Sequence, residues 1–278
     1  MKLAILSGKG GTGKTFLSVN LCAAAERATY LDCDVEEPNG RLFLKPEGVE
    51  RNEVHTLRPV FHEENCTGCR KCVDFCHFNA LVFLKGKPMV FPDVCHACGG
   101  CSLVCPADAV TEEKRLAGSV EQGTARNVRV VSGCMEMGES SGIPVIQAVL
   151  ERSGTPEELT VIDCPPGSAC SVLESVEGAD ACLLVAEPTA FGFHNFQMVH
   201  ELVRLLGKPC GVVVNKAAES YPPLEDFCRE QGTPILCRIP YDETLAALGA
   251  RAEVAAWADE RYAERFRSLL RDVKEVLL

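Results

Sequence analysis

The stretch LSGKGGTGKT, Leu6 to Thr15, constrains this chain more than any other part of it. From Gly8 to Thr15 it fits the phosphate-binding pattern G-x-x-x-x-G-K-S/T. The apolar run KLAILS before it, Lys2 to Ser7, reads as a strand. The segment TFLSVNLCAAAERA after it, Thr15 to Ala28, reads as a helix with Leu17, Leu21, Ala24 and Ala25 on one face. Strand, glycine-rich turn and helix is the context that such a loop requires. The glycines let backbone N–H groups turn inward, and the helix N-terminus adds partial positive charge. The expected nucleotide contacts are Gly8, Gly10, Gly11, Thr12, Gly13, Lys14, Thr15 and Phe16. Lys14 would neutralise the β- and γ-phosphates, and Thr15 would bind Mg²⁺.

Further strands end in acids. ATYLDCDVEEPN, Ala28 to Asn39, carries Asp32 and Asp34, and LTVIDCPPGSACSV, Leu159 to Val172, carries Asp163. Carboxylates at the carboxyl ends of parallel strands face the ligand crevice. ACLLVAEPT and PCGVVVNKA, ending at Thr189 and Ala217, continue the series. Strands alternating with helices predict an α/β fold with a doubly wound, mainly parallel sheet.

Between Phe61 and Glu113 the composition changes. CTGCRKCVDFC gives Cys66, Cys69, Cys72 and Cys76, spaced C-x2-C-x2-C-x3-C, and CHACGGCSLVCP repeats that spacing at Cys95, Cys98, Cys101 and Cys105. Zinc sites favour paired C-x2-C units with four ligands per ion. The doubled run instead resembles the bacterial two-cluster ferredoxins. Three closely spaced thiolates wrap one cubane, and the fourth lies too far along a helical turn to close it. By that resemblance Cys66, Cys69, Cys72 and Cys105 hold one [4Fe–4S] cluster, and Cys95, Cys98, Cys101 and Cys76 the second. His77 departs from the pattern, standing where Pro106 stands in the second run. The segment has too little core to fold alone, so the clusters would staple it.

The extra Lys9 makes the first loop K-G-G-x-G-K-T, which resembles the deviant Walker A signature of the MinD/ParA/nitrogenase-iron-protein superfamily of P-loop ATPases. The resemblance implies binding of ATP and ADP with Mg²⁺, and slow, partner-stimulated hydrolysis. It implies a nucleotide-dependent dimer, with itself or with a related ATPase. Lys9 would cross that dimer to phosphates held by the other subunit, in logic like an arginine finger. It gives Asp34 the attacking water, and Asp32, Asp163 and Thr15 the Mg²⁺ sphere. Pro38 and Asn39 would sense the γ-phosphate. Asn215 and Lys216 would meet the adenine, with Pro240 of RIPYDE packed beside it. The whole chain resembles members with an inserted ferredoxin domain, residues 1–59 and 114–278 forming the ATPase domain and 60–113 the insert. DCPPG is typical of the iron–sulfur-carrier branch, but no C-x2-C follows Cys105 to bridge a transferable cluster. The expected partner is therefore a redox protein or one that receives an iron–sulfur or metal cofactor. The alternative is a MinD-like positioning ATPase in which the clusters are structural.

Composition narrows the field. The chain has 278 residues, 46% of them hydrophobic, and a net charge of −11, which argues against nucleic acid as the main partner. No apolar run approaches the ~20 residues of a membrane span, and Gly8 falls where a signal peptide would be apolar. A cytoplasmic protein is expected, in which the seventeen cysteines serve metals or the core rather than disulfides. Cys22, Cys33, Cys182, Cys210, Cys228 and Cys237 read as core residues. Cys134 and Cys170 stay open between a buried thiol and a cluster or redox role. The C-terminal segment WADERYAERFRSLLRDVKEVLL is amphipathic with balanced charge, and is expected to pack on the sheet rather than on a membrane.

Overall fold

β1 (Lys2–Leu6) leads through the glycine-rich loop into α1 (Lys14–Ala24). The computed structural model describes residues 1–155, 158–217 and 220–278. β2 (Ala28–Asp32) and the short α2 (Gly40–Leu44) follow. β3 (Glu47–Phe61) then leaves the sheet for a small excursion of α3 (Lys71–Phe75), β4 (Leu81–Leu84), β5 (Lys87–Val90) and α4 (Gly100–Leu103). β6 (Val110–Ala125) returns, and β7 (Val128–Met135), α5 (Ile143–Leu150) and β8 (Leu159–Asp163) complete this half. Next come α6 (Cys170–Glu177), β9 (Ala181–Ala186), α7 (Ala190–Leu205) and β10 (Cys210–Asn215). α8 (Pro222–Glu230), β11 (Ile235–Ile239), α9 (Glu243–Ala250), α10 (Ala255–Ala258) and α11 (Glu260–Leu277) close the described chain.

The main sheet has nine strands in the order β11-β10-β9-β1-β8-β2-β7-β6-β3. The seven strands from β11 to β7 run parallel, while β6 and β3 are antiparallel additions at one edge. Parallel strands covered by helices on both faces must be apolar at every position. β1 meets this with Leu3 and Ile5 in one core and Ala4 and Leu6 in the other. The first core lies under α1 and α11, and the second under α5, α6 and α7.

Two sequence expectations need adjustment, in the first helix and in two of the cysteines. The helix after the glycine loop stops at Ala24 rather than reaching Ala28, because Ala25 turns to extended backbone (ψ 159°). Strand pairing runs through the expected insert boundaries: Val60 pairs with Thr111 and Phe61 with Val110, leaving 62–109 between the strands. Composition marks where cysteines begin, whereas a ladder is built of backbone groups, and β3 is exposed over most of its length. Finally, Cys210, at the start of β10, and Cys237, in the middle of β11, are half-buried, whereas Cys22, Cys33, Cys182 and Cys228 are buried. Cys134 is half-buried and Cys170 exposed.

The C-terminal helix packs as its pattern predicts. Ala263, Phe266, Leu269, Leu270 and Val273 are buried on one face of α11, and Phe266 meets Phe16 edge-on at 6.3 Å. Arg267 and Arg271 pair with Glu264 on the outer face, so the charges satisfy one another within the helix. Among the described residues no helix is long and apolar enough to cross a membrane.

Candidate functional site

The parallel strands deliver their carboxyl ends to a cleft of about 1020 Å³. Lys9 to Phe16 line it, together with Asp34, Asn39, Asn215, Lys216 and Pro240. Gly8, Asp32 and Asp163 do not line it; both aspartates are fully buried beneath its floor. Gly13 is left-handed (φ +95°), and a Cβ there would lie 2.2 Å from Nδ2 of Asn215. That amide donates to the Thr12 carbonyl at 2.7 Å, so glycine at 13 lets β10 hold the loop. Thr15 is half-buried at the first turn of α1.

Under the loop the charges form one network. Asp32 and Asp163 stand directly opposite on β2 and β8. Lys14 Nζ lies 2.7 Å from Asp163 Oδ1 and 3.6 Å from Asp34 Oδ2. Burial alone would lower the lysine's pKa, but Asp163, Asp34 and Asp32 together hold it above the usual lysine range. Tyr30 Oη donates to Asp163 Oδ2 at 2.8 Å and Ser18 Oγ to Oδ1 at 3.1 Å. Asp32 accepts from the Gly40 N–H at 3.0 Å and the Asp34 N–H at 3.3 Å. Burial, and then the Asp163 charge, push the Asp32 carboxyl well above the usual carboxylate range. Burial also raises Asp34, against the pull of Lys14.

Lys9 takes a different partner. Its Nζ pairs with Glu187 Oε2 at 2.5 Å and sits 5.2 Å from the centre of the Phe191 ring. Glu187 also pairs with Lys216, whose Nζ donates to the Gly11 carbonyl at 2.8 Å. Burial works against the Glu187 charge, yet the two lysines hold its carboxyl below the ordinary glutamate value. Tyr30, Ser18, Gly40 and Glu187 are the residues of this site that sequence reasoning passes over. Tyr30 reads as one more apolar strand residue, although its i, i+2 spacing puts it on the same face as Asp32.

The excursion carries two cysteine cavities. Cys66, Cys69, Cys72 and Cys105 line one, beside Phe61 and Phe83. Cys76, Cys95, Cys98 and Cys101 line the other, and Cys72 lines it as well. Burial raises the Cys72 thiol, and the nearby Cys69 and Cys105 raise it further. Cys101 is pushed up to about 11 by burial, with Cys95 and Cys98 adding to it. The Ala109 N–H donates to Cys105 Sγ at 3.3 Å. The two runs fold alike: Gly68 and Arg70 are left-handed at the same places as Ala97 and Gly99. Left-handed backbone costs Arg70 and Ala97 about 1–2 kcal/mol each, which the shared local shape must offset. Four thiols around an apolar cavity are a donor set for soft metal centres. Among the described residues no three His, Cys, Asp or Glu side chains converge on a point suited to a single metal ion.

Comparison with known proteins agrees with the cleft. The CobQ/CobB/MinD/ParA nucleotide binding domain model matches residues 3–255. An uncharacterized protein of Methanocaldococcus jannaschii is 29% identical over 285 residues, covering 100% of this chain and 98% of that one. An iron-sulfur cluster carrier protein of Pyrococcus abyssi is 45% identical over 58 residues, 19% of each chain. The cell division ATPase MinD of Pyrococcus furiosus superposes with a TM-score of 0.60 at 18% identity, covering 99% of this chain and 98% of that one. The septum site-determining protein MinD of Pyrococcus horikoshii, complexed with Mg-ADP, gives 0.59 at 18%, covering 98% and 95%. At such identity these likenesses speak for the fold alone. The family match runs from the first strand past the glycine loop and the strand-end acids to α10, and on it the chain belongs to the CobQ/CobB/MinD/ParA nucleotide-binding domain family.

Proposed function

We propose that the protein is an ATPase whose nucleotide-driven dimer state gates electron transfer, or the handling of an iron–sulfur or metal cluster, for a partner protein. One observation carries this reading: a phosphate-type cleft lined by Lys14, with Asp163 buried beneath it, shares a chain with two cysteine-lined cavities. Residues 1–59 and 114–278 form the ATPase domain and 60–113 a ferredoxin-type insert that holds two [4Fe–4S] clusters.

In the cleft Lys14 and the loop N–H groups hold the phosphates. Thr15, Asp32 and Asp163 form the Mg²⁺ sphere, the ion supplying charge neutralisation when bound. Asp34 orients the attacking water, and its raised pKa suits a group that must accept a proton. Asn39 senses the γ-phosphate, and Asn215, Lys216 and Pro240 surround the base. Lys9 leaves Glu187 to serve the partner subunit's phosphates. The clusters supply one-electron chemistry when bound. Their fixed ligation by four cysteines each favours electron transfer over donation. The setting is the cytosol. A positioning role, with structural clusters, has only the likeness of fold in its favour.

The test is anaerobic. The purified protein, its clusters first reduced with dithionite and the excess reductant removed, is mixed with a candidate apo-acceptor or an oxidised redox partner; iron and sulfide are counted on both proteins, and the partner's redox state is read, before and after ATP. Electron transfer predicts an unchanged iron load and an ATP-dependent reduction of the partner. Loss of iron to the acceptor would support cluster delivery. A protein that purifies with zinc instead of iron would overturn both.

A further inference from the structure

The loop between β7 and α5, residues 136–142, touches both sites. Its entrance is tied to the cleft: the Met135 N–H donates to the Val35 carbonyl at 2.9 Å, one residue beyond Asp34. Its exit is packed there as well. A Cβ on Gly142 would lie 2.6 Å from Val35 Cγ2, and one on Gly133 would lie 2.7 Å from Val35 Cγ1. Val35 thus packs directly on the backbone of Gly133, in β7, and of Gly142, at the loop's exit, so a shift of Val35 presses on both.

In its middle the same loop grips the cysteine segment. The Glu139 side chain is only 4% exposed; one oxygen accepts from Arg58 and the other forms an ion pair with Arg115 Nε at 2.9 Å. Arg58, on β3, is itself buried. Its Nη1 donates to the carbonyls of Pro92, at 3.2 Å, and Cys95. Ser140 Oγ donates to that same Cys95 carbonyl at 3.1 Å. The backbone of one cavity-lining cysteine is thus held by the loop directly and again through Arg58. A buried ion pair contributes little net stability over a well-packed apolar contact. What the guanidinium fork adds is fixed direction.

We propose that loop 136–142 couples the nucleotide cleft to the second cysteine cavity, with Glu139 and Arg58 as positioning residues. A displacement at Asp34–Val35 is carried by Met135 and Gly142 into the loop, and by Glu139, Arg58 and Ser140 to the backbone of Cys95. The coupling rests on the reading of the cleft as an ATP site and of the cavity as a cluster site, and it supplies the physical route that gating requires.

The test is hydrogen exchange by mass spectrometry on the anaerobic, iron-loaded protein, with and without Mg²⁺ and a non-hydrolysable ATP analogue. In the wild type, nucleotide changes exchange over 34–39, 136–142 and 92–98. In Glu139→Gln, of matched size and verified iron content, the change over 34–39 persists and that over 92–98 is lost. A static staple would alter exchange over 92–98 equally with and without nucleotide. If 34–39 does not respond in the wild type, the ATP-site reading fails and the coupling with it. If 34–39 responds but 92–98 does not, or if 92–98 responds equally in Glu139→Gln, the coupling alone is wrong. Ser140→Ala, which removes one hydroxyl, repeats the test should Glu139→Gln not fold: a diminished response over 92–98 supports the coupling, and a full one overturns it.

Discussion

Lys9 and Lys14 belong to one loop but meet different acids. Lys14 is sunk between Asp163 and Asp34, while Lys9 lies at the rim against Glu187. Their replacements should therefore fail differently. Lys14→Ala should weaken nucleotide binding itself. Lys9→Ala should keep binding but lose roughly 10³–10⁵ in hydrolysis, the range of cations supplied in trans. Mixing Lys9→Ala with Asp34→Ala chains should restore one working site per mixed dimer; a flat rate against mixing ratio, with subunits exchanging, would place Lys9 within its own site or outside catalysis. Asp32 carries a second prediction. Its raised carboxyl binds a proton more tightly folded than unfolded, so the Mg²⁺-free chain should lose stability as pH rises from the ordinary aspartate value of 3.8 upward. Asp34 is raised too and adds in the same direction. Asp32→Asn should flatten that fall in thermal unfolding scans; parallel wild-type and variant curves would show that Asp32 is ionised throughout. Asp32 and Asp163 were legible because each ends an apolar strand. Tyr30 was not, because a hydroxyl under a carboxylate appears only once the strands are ordered, and Glu187, although it follows β9, shows its lysine partners only in the folded chain.

Among the elements, local and non-local pairing part ways. The glycine loop and α1 follow from sequence because turn chemistry and apolar spacing are local. The pairing of β3 with β6 is not local: an exposed strand ending in LRPVF has no apolar alternation to announce it, and only its partner defines it. The cysteine segment hangs from the far end of that ribbon, while its Cys95 end returns to Arg58 and Ser140. Cys98→Ser should then cost one cluster and loosen residues 92–101, measured as a loss of about half the iron together with faster proteolysis of the segment. Nucleotide affinity should stay within a few-fold, because no residue of 62–109 lines the cleft. A variant that binds nucleotide as poorly as Lys14→Ala would mean the segment supports the cleft directly.

Across the whole molecule, the parallel order β11-β10-β9-β1-β8-β2-β7 brings acids from β2 and β8 beside the loop after β1 and the asparagine of β10. Alternation of strands and helices predicted the class of fold, but not which strands would be neighbours. That depends on crossovers, which the sequence does not print. In the proposed arrangement this nucleotide-binding chain carries two four-iron clusters under nucleotide control. The most direct measurement is the EPR spectrum of the anaerobically purified, dithionite-reduced protein, read with its iron count and repeated with Mg-ATP. We predict about eight irons per chain, the spectrum of two interacting [4Fe–4S] clusters, and a change in that spectrum on adding Mg-ATP. Zinc as the dominant metal, a single isolated cluster, or a spectrum indifferent to nucleotide would contradict it.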